Sequence, residues 1–183
     1  MIKITLPDGT IKEHAKGSSP MDVAKGISEG FARNVISAKY NDTIVETETS
    51  LTEDGTLTLY TWNDKDGKKA FWHSTSHVVA QALEELYPGI KLTIGPAIDN
   101  GFYYDVDFGD RSISEKDFPE IEKKALEIAR GKHTYKMRAV TKAEALSKYK
   151  QQGNEYKVEL IENLEDGTIT FCDIKCCRCL LEG

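Results

Sequence analysis

The sequence predicts an α+β protein built as two domains in tandem, and three observations carry that expectation. Over the first sixty positions, short runs of alternating apolar and polar residues are separated by turn residues. A polar stretch without periodicity, WNDKDGKKA at 62–70, follows and reads as a linker. From Phe71 onward, segments with helical spacing of apolar residues alternate with shorter strand-like ones. Length is compatible with this division without deciding it, since 183 residues suit one large domain or two small ones.

In the first sixty residues Ile2, Ile4 and Leu6 alternate with polar neighbours, Pro7-Asp8-Gly9 supplies a turn, and Thr10 to Glu13 can return as the hairpin partner. Ser19 before Pro20 is a helix start: the hydroxyl caps free N–H groups and proline is preset for the first helical position. Met21, Val23, Ala24 and Ile27 then form a short apolar stripe. Strands are expected at Val35 to Tyr40, Thr43 to Val45 and Thr56 to Thr61, the last behind an Asp54-Gly55 turn. Hairpin, helix and further strands in this order describe a ubiquitin-like β-grasp, a fold that is a binding module far more often than an enzyme.

In the second domain Phe71 to about Tyr87 reads as a helix, and Lys91 to Ile94 and Gly101 to Phe108 read as strands around Pro96 and Asp99-Asn100-Gly101. A long helix carries Phe118, Ile121, Ala125, Ile128 and Ala129, with Gly131 able to end it. Lys136 to Val140 is a strand, and Thr141 caps a helix through Tyr149. Gly153 breaks the chain before helical residues Glu155 to Leu164, and Asp166-Gly167 turns into a strand from Thr168 to Cys172.

Apolar and charged residues (39% and 30%) are both ordinary for a globular chain that forms a core without disulfide staples. No apolar run approaches the roughly 20 residues that span a bilayer, and MIKITLPDGT has neither the basic end nor the apolar stretch of a signal peptide. A cytoplasmic protein with no membrane partner is expected. A net charge of −6 argues against a general binder of DNA or of phosphate backbones, whose affinity comes from Lys and Arg displacing counterions. It leaves room for a protein that handles one end of an RNA. All four cysteines (Cys172, Cys176, Cys177 and Cys179) fall in the last twelve residues, which is not a spread disulfide framework.

The stretch HSTSH puts His73 and His77 four residues apart, roughly opposite the sector of Val78, Val79, Ala82, Leu83 and Leu86. They are therefore not core histidines of that sector. They belong to a solvated face, to a wall packed on another element through hydrogen bonds, to a shared metal site, or to a pair that binds and activates water. The zincin pattern needs glutamate after the first histidine, and Ser74 stands there. The stretch IGPAIDNGFYYD at 94–105 reads as a tight hairpin with aromatics in the core, or as a pocket where backbone and Tyr hydroxyls meet a small polar ligand. Lys157 reads as a solvated helix lysine, or as a group that holds a phosphate or polarises a carbonyl.

Taken together, HSTSH at 73–77, IGPAIDNGFYYDVDF at 94–108 and GNEYKV at 153–158, in this order behind a β-grasp unit, resemble the N-terminal part of the bacterial threonyl-tRNA synthetases. The likeness runs from Met1 to about Cys172. It implies a TGS domain at 1–62 and, at 63–183, an α+β editing domain of the threonyl/alanyl-tRNA synthetase type, truncated or altered after about 173. In that family editing hydrolyses serine mistakenly attached to threonine tRNA. Serine lacks only a methyl group, which a pocket discriminates by about 1–3 kcal/mol, so a second sieve is needed. The resemblance implies that His73, His77 and Lys157 are catalytic, the histidines positioning water and the terminal ribose and the lysine orienting water or offsetting developing charge. It implies that Gly95 and Tyr104 contact the seryl group or terminal adenosine, that no metal is held, and that the partner is the aminoacylated 3′ end of threonine tRNA. ATP, magnesium and zinc are implied for an aminoacylation domain beyond residue 183, as is a homodimeric parent; the chain alone is expected to be a monomer that does not charge tRNA.

The end of the chain departs from the family's pattern. The family completes its editing site with a D-x-C-R-G-x-H segment. In FCDIKCCRCLLEG, Cys177-Arg178 echoes the middle of that segment, but Lys175 replaces the aspartate, Cys179 replaces the glycine, and no histidine follows. The favoured account is a truncated or frame-altered end; the other is a zinc site joining the cysteines to the histidine pair, against which C-x-x-x-C-C-x-C is not a standard zinc spacing. A chain lacking part of its pocket is not expected to edit fully, and the rival to the editing reading is a non-catalytic RNA- or protein-binding module.

Overall fold

The computed structural model describes residues 1–131, 136–167, 169–174 and 177–181, with backbone alone at 136–137, 172–174 and 177–181. Its contacts divide the chain into two compact units, residues 1–72 with 98–100 and residues 73–97 with 101–183.

In the first unit β1 (Ile2–Thr5) pairs antiparallel with β2 (Ile11–His14), Ile4 opposite Lys12, and parallel with β5 (Gly55–Thr61). Strand β3 (Val35–Tyr40) lies antiparallel to β5 and to β4 (Thr43–Val45), giving a mixed sheet in the order β2-β1-β5-β3-β4. Helix α1 (Pro20–Ile27) starts on a full capping box: Ser19 Oγ accepts from Asp22 N at 3.2 Å, and Asp22 Oδ2 accepts from Ser19 N at 2.9 Å. A four-residue helix, α2 (Glu29–Ala32), follows. Ile2, Ile4, Val23, Ala38, Leu51 and Leu57 close the core between helix and sheet. This is the α+β, β-grasp architecture that alternation and turn chemistry predict.

The segment 62–70, expected as a linker, is mostly helix: α3 runs from Lys65 to Leu86. Hydrogen bonds at its start explain the difference. Thr61 N and Oγ1 donate to Asp64 Oδ2 at 2.7 and 2.9 Å, Lys68 N donates to Asp64 O at 2.9 Å, and a Cβ on Gly67 would overlap the Thr61 carbonyl. Trp62, Phe71 and Trp72 stack edge to face there, so the stretch has an apolar anchor although its run is polar.

In the second unit the expected strand Lys91–Ile94 is reduced to β6 (Lys91–Leu92), and Gly101–Phe108 breaks into β8 (Gly101–Phe102) and β9 (Val106–Asp107), with β7 (Ala97–Ile98) pairing β8. Residues between them stay paired irregularly, through Thr93 N to Asp105 O at 3.0 Å, Asp105 N to Ile94 O at 3.1 Å and Tyr103 N to Pro96 O at 3.2 Å. Pro96, which has no N–H, interrupts the regular ladder. Helix α4 (Phe118–Arg130) ends at Gly131 as expected. Strand β10 (Lys136–Ala139), helix α5 (Lys142–Gln151) capped by Thr141, helix α6 (Glu155–Glu162) and strand β11 (Thr170–Ile174) follow; Thr168, expected in that last strand, lies outside the described residues. Strand β12 (Cys177–Leu181), unforeseen from the sequence, completes the antiparallel order β10-β11-β12. Val140, Ala145, Tyr149, Ile161, Ile169 and Phe171 form the core beneath α5 and α6. Lys142 Nζ donates to the Glu162 and Leu164 carbonyls, both at 2.8 Å, and so satisfies the C-terminal end of α6.

Candidate functional site

On α3 one face is lined by Val78, Val79, Ala82 and Leu83, as the apolar sector predicts, but the opposite side is buried as well. Ser76, His77, Ala80 and Gln81 are as inaccessible as Leu83. Of the two bland readings of the histidine pair, the solvated face fails for His77, which is 5% exposed. His77 is a packed wall residue, and His73 beside it is half-buried.

The two rings meet nearly at right angles, with centroids 4.7 Å apart and Nε2 facing Nε2 at 3.2 Å. That separation requires one ring to donate and the other to accept, so the pair holds a proton between the two Nε2 atoms. Ser76 Oγ donates to the His73 carbonyl at 2.7 Å. Burial is the main force that pushes His77 down to about 3, and the charges of His73 and Lys157 add to it. At neutral pH its imidazole is uncharged.

Lys157 is brought to this pair from the other end of the unit. It occupies the first turn of α6 and is buried at 6% exposure. A lysine at a helix N-terminus opposes the dipole, and burial of an ammonium is costly unless hydrogen bonds and charges compensate. Three features hold it there. Asn154 caps the helix, accepting from Lys157 N at 3.1 Å through its side chain, and donates through Nδ2 to the Leu92 carbonyl at 3.0 Å. Lys91 and Glu155 pair at 2.7 Å, and Tyr156 OH donates to Asp107 Oδ2 at 3.0 Å. Asp107 is held below the usual carboxylate range first by the Gly109 N–H and then by that hydroxyl. All three tie α6 to the β6–β9 pair.

The irregular stretch between these two strands carries Gly95 and Tyr104, which the structure brings together: a Cβ at position 95 would overlap the Tyr104 ring. Glycine is therefore required for the ring to lie against the backbone, and this loop is anchored to the Lys157 helix through Asn154. Asn154 was not singled out in the sequence, although an Asn directly before a helical run is a capping signal. Replacing it with alanine is expected to cost about 1–3 kcal/mol, the lost cap plus the buried Leu92 carbonyl left unpaired; a urea unfolding midpoint within error of the parent would contradict this.

Among the described residues no three His, Cys, Asp or Glu side chains are grouped to hold a metal ion. The cysteine readings, whether Cys177 as an editing-site group or a zinc site of Cys172, Cys176, Cys177 and Cys179, concern side chains outside the described residues. No helix among those described is long and apolar enough to cross a membrane.

Residues 2–61 match the TGS domain family. The chain is similar to the threonine–tRNA ligase of Flavobacterium johnsoniae, 75% identical over 94% of this chain and 26% of the relative. Those of Flavobacterium psychrophilum (72% identical, 94% of this chain, 26% of the relative) and Cytophaga hutchinsonii (53%, 93% and 26%) are similar in the same way. The chain thus spans about a quarter of the length of the curated relatives it matches.

Proposed function

We infer that this chain, whose sequence is similar to about a quarter of the length of the threonine–tRNA ligases it matches, follows its TGS domain with an editing domain at 63–183 that hydrolyses serine esterified in error to threonine tRNA. The carrying observation is the buried, uncharged His77 beside His73, with the Lys157 ammonium close enough to depress it. A pocket that presents neutral imidazoles and one buried cation suits an ester whose carbonyl oxygen becomes negative as water attacks.

In this reading Lys157 offsets the charge on the developing oxyanion or orients the attacking water. A group with a pKa of about 3 is too weak a base to take the proton of that water at neutral pH. His77 therefore positions rather than deprotonates: together with His73 it holds water and the terminal ribose by hydrogen bonds. The Tyr104 ring, lying on Gly95, forms a wall against the seryl group or the terminal adenosine. Water adds to the carbonyl carbon, and the ribose oxygen leaves with a proton, giving free serine and uncharged tRNA. ATP, magnesium and zinc belong, on this reading, to the aminoacylation step in the part of the ligase outside this chain.

The test is deacylation of seryl-tRNA, with threonyl-tRNA as control, by this chain and by a full-length ligase carrying it. The expected result in the full-length ligase is a preference for the seryl ester of about ten-fold or more, the worth of one methyl group. Hydrolysis of neither ester would leave a non-catalytic RNA- or protein-binding module.

A further inference from the structure

The first two turns of α3 carry Lys65, Lys68, Lys69 and Trp72, a spacing that puts all four on one helical face. A stripe of lysines alone is an ordinary solvated face. Here it adjoins aromatic surface. Trp62 and Phe71 are 45% and 40% exposed, and with Trp72 they form one contiguous cluster whose ring centroids lie 5.0 to 5.8 Å apart. Large apolar side chains exposed singly are normal, whereas a contiguous patch rimmed by polar groups marks a site of interaction. The fold fixes the patch in place: Gly67, whose Cβ would overlap the Thr61 carbonyl, lets the start of α3 close on the end of β5 and so sets Trp62 beside the helix.

The charge around these rings is one-sided. Lys68 Nζ lies over the Trp62 ring, 5.8 Å from its centroid, and Lys65 and Lys69 are exposed. None of the three pairs with a carboxylate among the described residues. The acids beside them in sequence are engaged elsewhere: Asp64 accepts from Thr61 N and Oγ1, and Asp66 hydrogen-bonds the Tyr60 hydroxyl. A net charge of −6 excludes a broad phosphate-binding surface but not this local one. Exposed rings with cations beside them are the chemistry that takes single-stranded nucleic acid, in which a base offers an open face for stacking and the phosphates next to it reach the lysines. A duplex keeps those base faces covered.

We propose that this patch binds an unpaired RNA strand, with one base stacked on Trp62 and the neighbouring phosphates held by Lys65, Lys68 and Lys69. That the strand is RNA rests on the tRNA partner inferred above. The patch itself lies in the first unit and uses none of the editing residues.

The test is binding of octauridylate, which has no base pairs, to the full chain. It is read by anisotropy of a fluorescein-labelled strand and by tryptophan emission with an unlabelled one. Both tryptophans of the chain lie in the patch, so their quenching reports on it directly. Saturable binding with quenched emission is expected, and a short RNA duplex is expected to leave the emission unquenched. Trp62→Leu is expected to weaken binding about ten-fold, the effect of losing one stacked base, and Trp62→Phe, which keeps an aromatic face, to retain most of it. Raising salt from about 50 to about 150 mM is expected to weaken the parent about ten-fold, since three lysines displace counterions from a single strand. The triple variant Lys65→Gln, Lys68→Gln, Lys69→Gln is expected to bind more weakly and to lose that salt dependence. No saturable binding by the full chain overturns the proposal, as does binding undiminished in Trp62→Leu. A dimer in sedimentation equilibrium that Trp62→Leu dissolves and octauridylate does not would make the patch a contact between copies, and the proposal would fail. If Trp62→Leu does not fold, the lysine variant and the duplex control decide. Because the strand carries no ester, this test succeeds or fails separately from seryl-tRNA hydrolysis.

Discussion

Replacing Lys157 with alanine is expected to slow seryl-tRNA deacylation by about 10²–10³, the usual effect of removing one group that stabilises a developing oxyanion. The expectation rests on where the fold puts this side chain. A lysine in the first turn of α6 and 6% exposed gains nothing from the helix dipole and gives up most of its hydration. It also disfavours the charged form of His77. An arrangement that breaks the local rules of helix charge and burial points to a site rather than to stability. His73→Ala is expected to cost a similar factor, and the double variant no more than the worse single one, because groups that act on the same water and ester are not additive. Measured in a full-length ligase, formation of threonyl-tRNA serves as the control and is expected to stay unchanged. Deacylation undiminished in both single variants would remove Lys157 and His73 from the mechanism; fully multiplicative losses would mean that they act independently.

The sequence makes some of this site visible and hides the rest for definite reasons. Strands β1 to β5 and helix α1 follow from alternation, turn residues and one cap, because their determinants lie within a few positions of one another. The early start of α3 does not, since it depends on Thr61 and Asp64 bonding each other rather than on periodicity. The burial of His77 is hidden for a related reason. A helical wheel marks a buried face by its apolar residues, and the second buried side of α3 is built from Ser76, His77 and Gln81 with Ala80. Lys157 reads as a surface lysine until Asn154, 62 residues from Leu92, is seen to tie the two segments together. Contacts over such separations leave no local pattern. The tight fit of Gly95 on Tyr104 is likewise a nine-residue closure that resemblance suggests and spacing alone does not.

Lowering the pH from about 7 to 5 is expected to destabilise the second unit by about 2 kcal/mol through His77 alone. The ring has an ordinary value of 6.5 and is pushed down to about 3 in the folded chain, first by burial and then by the charges of His73 and Lys157. Between those two values the unfolded state takes up a proton that the folded state refuses, so stability falls as pH falls through that window and is fully present above it. The slope approaches about 1.4 kcal/mol per pH unit for one proton. Carboxylates held below their ordinary value, such as Asp22 and Asp107, also favour the folded state less in acid, but from an ordinary value of 3.8, so they contribute little above pH 5. Urea unfolding followed by circular dichroism is the suitable measurement, because both tryptophans, Trp62 and Trp72, fall in the first unit and their fluorescence would report on the wrong part of the chain. His77→Gln keeps a polar side chain of similar reach and has no proton to gain, so its stability is expected to be nearly flat across the window where the parent's declines. Equal slopes in parent and variant would mean that His77 is protonated in the folded state at pH 5, and the uncharged imidazole on which its proposed positioning role depends would be lost with it.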